Sequence, residues 1–212
     1  MDRPNFEMAQ NKATEFLLNH DVGKLIFDPR ELDLSDERII IDTRENYAVL
    51  TNRNVEDFSG KNIDGCYVVR ARNYRIILYS LSESGNTEHT IFGISHELGH
   101  IYCNHKGDSD INEIEANFFA AQLLMPEIVI IYILKNYTDN KITDLELMRL
   151  FGVSYEAASK KIRTLNRKGF WNCGTFDKQL LAKYKPIVDQ YYQRQKIANN
   201  SAPMHFNYMM SE

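Results

Sequence analysis

The sequence predicts an α+β protein, with a small, mostly antiparallel sheet from residues about 38 to 80 packed on helices that bear a His-Glu-x-x-His pattern, and with a helical C-terminal region. Three observations predict this. Short runs rich in Ile, Val and Tyr, separated by turn residues, occupy 38–80. From residue 90 to 136 the apolar positions recur at helical spacing instead. After residue 142, cap residues and a glycine outline a further pair of helices.

A chain of 212 residues suffices for one domain, or one domain with a small appendage. The net charge of −4 offers no global attraction to nucleic acid or anionic membrane, although a local basic face is compatible with it. Cys66, Cys103 and Cys173 are odd in number, widely spaced and free of any C-x-x-C pattern, so a disulfide framework is not expected and a reducing compartment fits. The first ten residues lack the apolar core of a signal peptide, and the most apolar stretch, Ile128 to Leu134, is too short to span a bilayer. A cytoplasmic protein is expected, without membrane association.

Along the chain, Phe6, Met8, Ala13, Phe16 and Leu17 suit an amphipathic helix over 5–19. Arg38 to Asp42 and Tyr47 to Leu50 read as short strands, and Cys66 to Arg70 with Arg75 to Tyr79 as a hairpin. Thr90 to Tyr102, Ile111 to Met125 and Glu127 to Asn136 read as successive helices, the second ended by Pro126. Thr143 and Asp144 are cap candidates for a helix closed by Gly152, and Ser154 for a second helix running through Leu165. The expected organisation is a catalytic domain over 1–136, a helix–turn–helix-like region packed on it over 137–195, and a flexible tail over 196–212.

The chemistry sits in His96-Glu97-Leu98-Gly99-His100. Residues four apart lie above one another on a helix, so both imidazoles can reach one metal ion. Zinc would bring the pKa of a water at its open position to about 7 and polarise a peptide carbonyl. Glu97, between the two histidines, is placed to take a proton from that water and pass it to the leaving amine. A third ligand is needed. A histidine six residues beyond His100 is excluded, because Lys106 stands there. The remaining candidates are Glu113 and Glu115. Glu113 is preferred, because Asn117 at i+4 points the same way and can orient a ligand histidine, and Glu115 is the fallback, a rim residue. Cys103 and His105 follow the helix and are expected to point elsewhere. No organic cofactor site is expected.

The segment Phe92 to Pro126, FGISHELGHIYCNHKGDSDINEIEANFFAAQLLMP, closely resembles the ImmA/IrrE family of metallopeptidases. It carries HELGH and then Ala116, Asn117, Phe119, Ala120, Ala121, Leu123, Leu124, Met125 and Pro126 in the family's order. Ile63 to Ser80 is similar to the strand pair that precedes the family's catalytic helix, whereas the first 60 residues match only loosely. The resemblance implies a zincin-like fold, a Zn2+ ion and a glutamate ligand matching Glu113. It also implies a substrate class: members cleave or inactivate helix–turn–helix repressors and so switch on mobile-element or stress-response genes. The chain starts close to the catalytic region, which favours a stand-alone protease acting on a separate repressor.

Lys160, Lys161, Arg163, Arg167 and Lys168 give the helix after Ser154 a basic side. A DNA-recognition helix has this appearance, and so does the solvated face of a helix pair. With an acidic chain, direct DNA binding is not expected. The sheet edge is expected to hold extended substrate by strand addition, with Tyr74 and Arg75 as candidate contacts. The alternative function is a non-proteolytic zinc-containing regulator, or a toxin–antitoxin component, that binds a repressor or DNA without cutting. Glu97 weighs against it, because a structural site needs no base.

Overall fold

Helix α1 (Phe6–Asn19) begins where the Asn5 side chain accepts the Met8 N–H at 3.0 Å. Its Ala9, Ala13, Phe16 and Leu17 recur every three to four residues and are buried. The architecture around it is taken from a computed structural model that describes residues 3–20, 23–58, 65–80, 87–107, 109–168 and 175–201.

Three strands form the sheet: β1 (Ile39–Thr43), β2 (Tyr67–Ala71) and β3 (Tyr74–Tyr79). β3 is central. It pairs in parallel with β1, Ile41 facing Ile77, and antiparallel with β2, Val68 facing Ile77. The β2–β3 hairpin turns at Arg72, whose φ is 54°. Alternation along β3 sends Ile77 into the main core, whereas Ile76 and Leu78 pack on the opposite face with Ala48 and Phe58. Tyr74 and Arg75 therefore stand on the central strand rather than on an edge, and their backbone is already paired.

The stretch 47–50 is not a strand. It lies inside α2 (Arg44–Thr51), where Thr43 Oγ1 accepts the Asn46 N–H at 3.1 Å and Asn52 closes the helix at φ 52°. The short Tyr-Ala-Val-Leu run fits either period, and the caps on both sides decide it. Val49 and Leu50 consequently face solvent.

The helical layer holds α3 (Thr87–Tyr102), α4 (Asp110–Leu124) and α5 (Glu127–Tyr137). Ser109 caps α4 by accepting the Asn112 N–H at 3.2 Å. Met125 and Pro126 break α4 from α5, which turn 42° apart. Both feed the main core, which includes Phe119, Leu123, Val129, Ile130 and Ile133 together with Ile94 and Leu98 of α3. Among the described residues no single helix is long and apolar enough to cross a membrane.

The C-terminal region adds α6 (Asp144–Phe151), α7 (Tyr155–Lys168) and α8 (Thr175–Ser201). α6 carries a full capping box between Thr143 and Glu146, and Gly152 ends it at φ 63°. Lys161, expected on the basic side of α7, is turned inward instead, 3.9 Å from buried Glu127. Lys160 is paired with Glu156 at 2.7 Å. α8 falls largely within the helical region expected over 137–195 but was not singled out as one helix, because Pro186 inside it and the polar residues around it mask a stripe of Leu180, Tyr184 and Val188, four apart and all buried. It extends to Ser201, and residues 202–212 lie outside the described part, as does Cys173. Lys183 Nζ donates to the carbonyls of Leu17 (2.8 Å) and His20 (2.5 Å), closing the end of α1. Asp189 Oδ1 accepts from Tyr132 and Tyr137, each at 2.6 Å, and fastens α8 to α5.

Candidate metal centre

Helices α3 and α4 can approach closely because residue 99 is glycine. A Cβ there would stand 3.0 Å from both the Cα and the carbonyl oxygen of Ala116, and 3.2 Å from Phe119 Cβ. Contacts of that length are tighter than nearly all that real Cβ atoms make, so the Ala116 backbone would have to give by a few tenths of an ångström. The fourth residue of HELGH and the alanine of EAN are thus two halves of one contact. That contact holds the middle of α4 against the HELGH stretch of α3.

Across this contact three side chains converge. His96 Nε2 is 3.0 Å from His100 Nε2, and the two nitrogens lie 3.3 Å from Glu113 Oε2 and Oε1 respectively. These three residues form the group of donor atoms capable of holding a metal ion among the described residues. Donors bound to zinc at 2.0–2.1 Å in a tetrahedral arrangement sit about 3.3 Å from one another. The observed spacings match that geometry.

The chemistry of the donor set points the same way. Asn117 Oδ1 stands 3.1 Å from His96 Nδ1 and accepts from it when that nitrogen carries the proton, the tautomer that leaves Nε2 bare. A bare imidazole nitrogen then faces a second imidazole and a carboxylate, an arrangement satisfied by a cation. Burial, opposed by the Glu113 charge and the Asn117 hydrogen bond, holds the His96 pKa below its ordinary value and favours the neutral, ligating form. Asn117 thus stands beside His96, on the side of α4 that its spacing from Glu113 suggested.

Glu97 occupies the position after His96 on α3 and is half-buried. Its charge is felt by Cys66. Burial first, and then Glu97, push that thiol up to about 12, while Arg44 opposes them. Cys66 packs on α3 one turn before Glu97, where a Cβ at Gly93 would meet its Sγ at 2.9 Å.

Two residues read as peripheral lie deeper than expected. Glu115 is buried rather than at a rim. It does not join the metal donors, and its Oε2 meets His105 Nε2 at 3.0 Å. His105 does not point away. Its Nδ1 is 3.0 Å from His100 Nδ1. The cause is local. Asn104 at φ 57° ends α3 in a Schellman turn, with the His105 N–H bonded to His100 O at 3.0 Å and the Asn104 N–H to Ile101 O at 3.1 Å. Such a turn brings the residue two beyond the cap back onto the residue three before it, which here is one histidine onto another. The sequence signal was Asn104, an αL-tolerant residue just past the helix. Cys103 is half-buried, does not join the donor set, and burial with the Glu115 charge raises its thiol to about 11.

No curated protein matches the chain. The IrrE N-terminal-like domain model of peptidase family M78 matches residues 53–163, which spans β2, β3, α3, α4 and the donor residues. With more than half its length under that match and a His2Glu donor set inside it, the chain belongs to the IrrE N-terminal-like peptidase family, M78.

Proposed function

We propose that this protein is a zinc-dependent endopeptidase that cuts a helix–turn–helix transcriptional repressor and thereby derepresses mobile-element or stress-response genes. The observation that carries the peptidase reading is the convergence of His96, His100 and Glu113 beside Glu97. The substrate class rests on the family resemblance, and a repressor substrate would place the protein in the cytoplasm.

His96, His100 and Glu113 would hold the ion, leaving one position open for water or substrate. Zinc when bound supplies charge that polarises the scissile carbonyl and lowers the pKa of water. Glu97 accepts the proton that the attacking water loses and delivers it to the amide nitrogen as the C–N bond breaks, so that one water and one peptide bond become a carboxylic acid and an amine. β2 is an outer strand whose N-terminal neighbour, Cys66, packs on α3 one turn before Glu97. An extended substrate pairing with that strand would lie along the catalytic helix.

The test is cleavage of repressors encoded beside this gene by wild type and by Glu97→Gln, with bound metal measured on both. Cleavage should fall about 10²–10⁴-fold in a variant that keeps one metal per chain. Full activity in Glu97→Gln, or a folded wild type that takes up no metal, defeats the reading. Repressor capture without cutting by either protein supports the non-proteolytic regulator instead.

A further inference from the structure

A line of hydrogen-bonding atoms runs behind His100, from Glu115 through His105 to His100 Nδ1. Glu115 is a buried carboxylate and offers only acceptors. One oxygen, Oε1, accepts the backbone N–H of Asn5 at 2.6 Å, which pins the group to the start of α1. The other, Oε2, faces His105 Nε2 at 3.0 Å, so that nitrogen carries the proton. In the neutral imidazole the second nitrogen is then an acceptor. His105 Nδ1 faces His100 Nδ1 at 3.0 Å, and with His105 in that neutral form the hydrogen between them comes from His100. A proton on His100 Nδ1 leaves Nε2 bare, and that is the atom aimed at His96 Nε2 and Glu113.

We infer that Glu115 and His105 form a relay of positioning residues that fixes His100 in the tautomer and ring orientation required of a metal ligand. The inference rests on the proposed metal centre and extends it, because neither residue touches the ion's position. The two ligand histidines are thereby oriented by different means. His96 leans on one exposed amide, Asn117, and His100 on a buried imidazole–carboxylate pair. His105 and Glu115 side chains are only 5% and 8% exposed, so the relay is shielded from water that would otherwise compete for its hydrogen bonds. Its last link, the Asn5 N–H, belongs to α1, so the orientation of a metal ligand depends on how the first helix is seated.

Two measurements on the full-length protein test this. The first reads the tautomers in wild type by two-bond 1H–15N correlation on 15N-histidine-labelled protein, assigned with single histidine variants. His105 should show its proton on Nε2 and His100 on Nδ1. A His105 proton on Nδ1 overturns the relay. The second is zinc affinity by competition with a chelator, after folding has been confirmed by circular dichroism. His105→Phe keeps the ring's volume but supplies no acceptor, and should weaken zinc about 10–100-fold. His105→Asn puts an amide oxygen where Nδ1 was, and should recover most of that loss. Glu115→Gln should fall between them. A folded His105→Phe that binds zinc as wild type does, or a His105→Asn no better than His105→Phe, overturns the inference. If wild type binds no zinc while His96→Ala and His105→Phe are indistinguishable from it, the metal centre itself has failed, and the tautomers still decide whether the relay exists. Should His105→Phe not fold, the tautomer measurement stands alone.

Discussion

At the level of single residues, the two thiols among the described residues report the electrostatics of the site. Cys66 is pushed up to about 12 and Cys103 to about 11, first by burial and then by Glu97 and Glu115 respectively. The thiolate is the reactive form, so a raised pKa means slow alkylation. Iodoacetamide at pH 8, read by peptide mass spectrometry, should modify both residues more than tenfold more slowly in the folded protein than in denaturant. Equal rates would show that the thiols are neither buried nor close to the two carboxylates. The residue scale is also where the sequence was most legible. His96 and His100 are named by their i, i+4 spacing, and the pairing of Glu113 with Asn117 follows from the same helical geometry. The burial of Glu115 and the inward turn of His105 were missed for different reasons. Glu115 bonds a residue 110 positions away, and His105 depends on a left-handed turn at Asn104. Helical periodicity reports neither, although Asn104 is a local sign of the turn.

For the elements, the decisive feature is the packing of α3 on α4. Gly99→Ala places a methyl group 3.0 Å from the Ala116 backbone, so the two helices must part by a few tenths of an ångström. Overpacking of this kind costs about 1–3 kcal/mol. Urea denaturation should show that loss, and chelator competition should show weaker zinc binding, since the contact that spreads is the one bringing Glu113 to the histidines. Unchanged stability and affinity would mean that the helices approach less closely. Elements with strong punctuation were readable in advance. α6 has a capping box and a glycine stop, and the β2–β3 hairpin has alternating strands about a short turn. α2 and α8 were not. In α2 an apolar run of four residues fits either period, and in α8 an internal proline imitates a boundary.

For the molecule as a whole, α8 ties the end of α1 to α5 through Lys183 and Asp189. Hydrogen bonds from Tyr132 and Tyr137 hold the Asp189 carboxyl below its ordinary pKa, against the opposing effect of burial. A lowered folded-state pKa contributes stability that is complete above the unfolded value of about 3.9 and is lost as pH falls through the folded value. Asp189→Ala should therefore lower Tm at pH 7, and its difference from wild type should shrink as the solution is acidified below about pH 3.9. A difference constant with pH would assign the clamp to packing alone. That α8 closes the core was not legible, since its stripe of Leu180, Tyr184 and Val188 becomes meaningful only against α1 and α5.

The close pairing of α3 and α4 also bears on how the chain reaches its native state. All three candidate metal donors fall within residues 96–113, on one helical hairpin, so gathering them needs only a short loop to close. The bond from Asn5 to Glu115 instead joins segments separated by most of a domain. Loop-closure entropy rises with the length closed, and non-local pairings come late and slowly. The order of assembly is thereby built into the topology. The ion's cradle can form on a local hairpin while α1 is still free, and the docking of α1 then seals a centre that already exists.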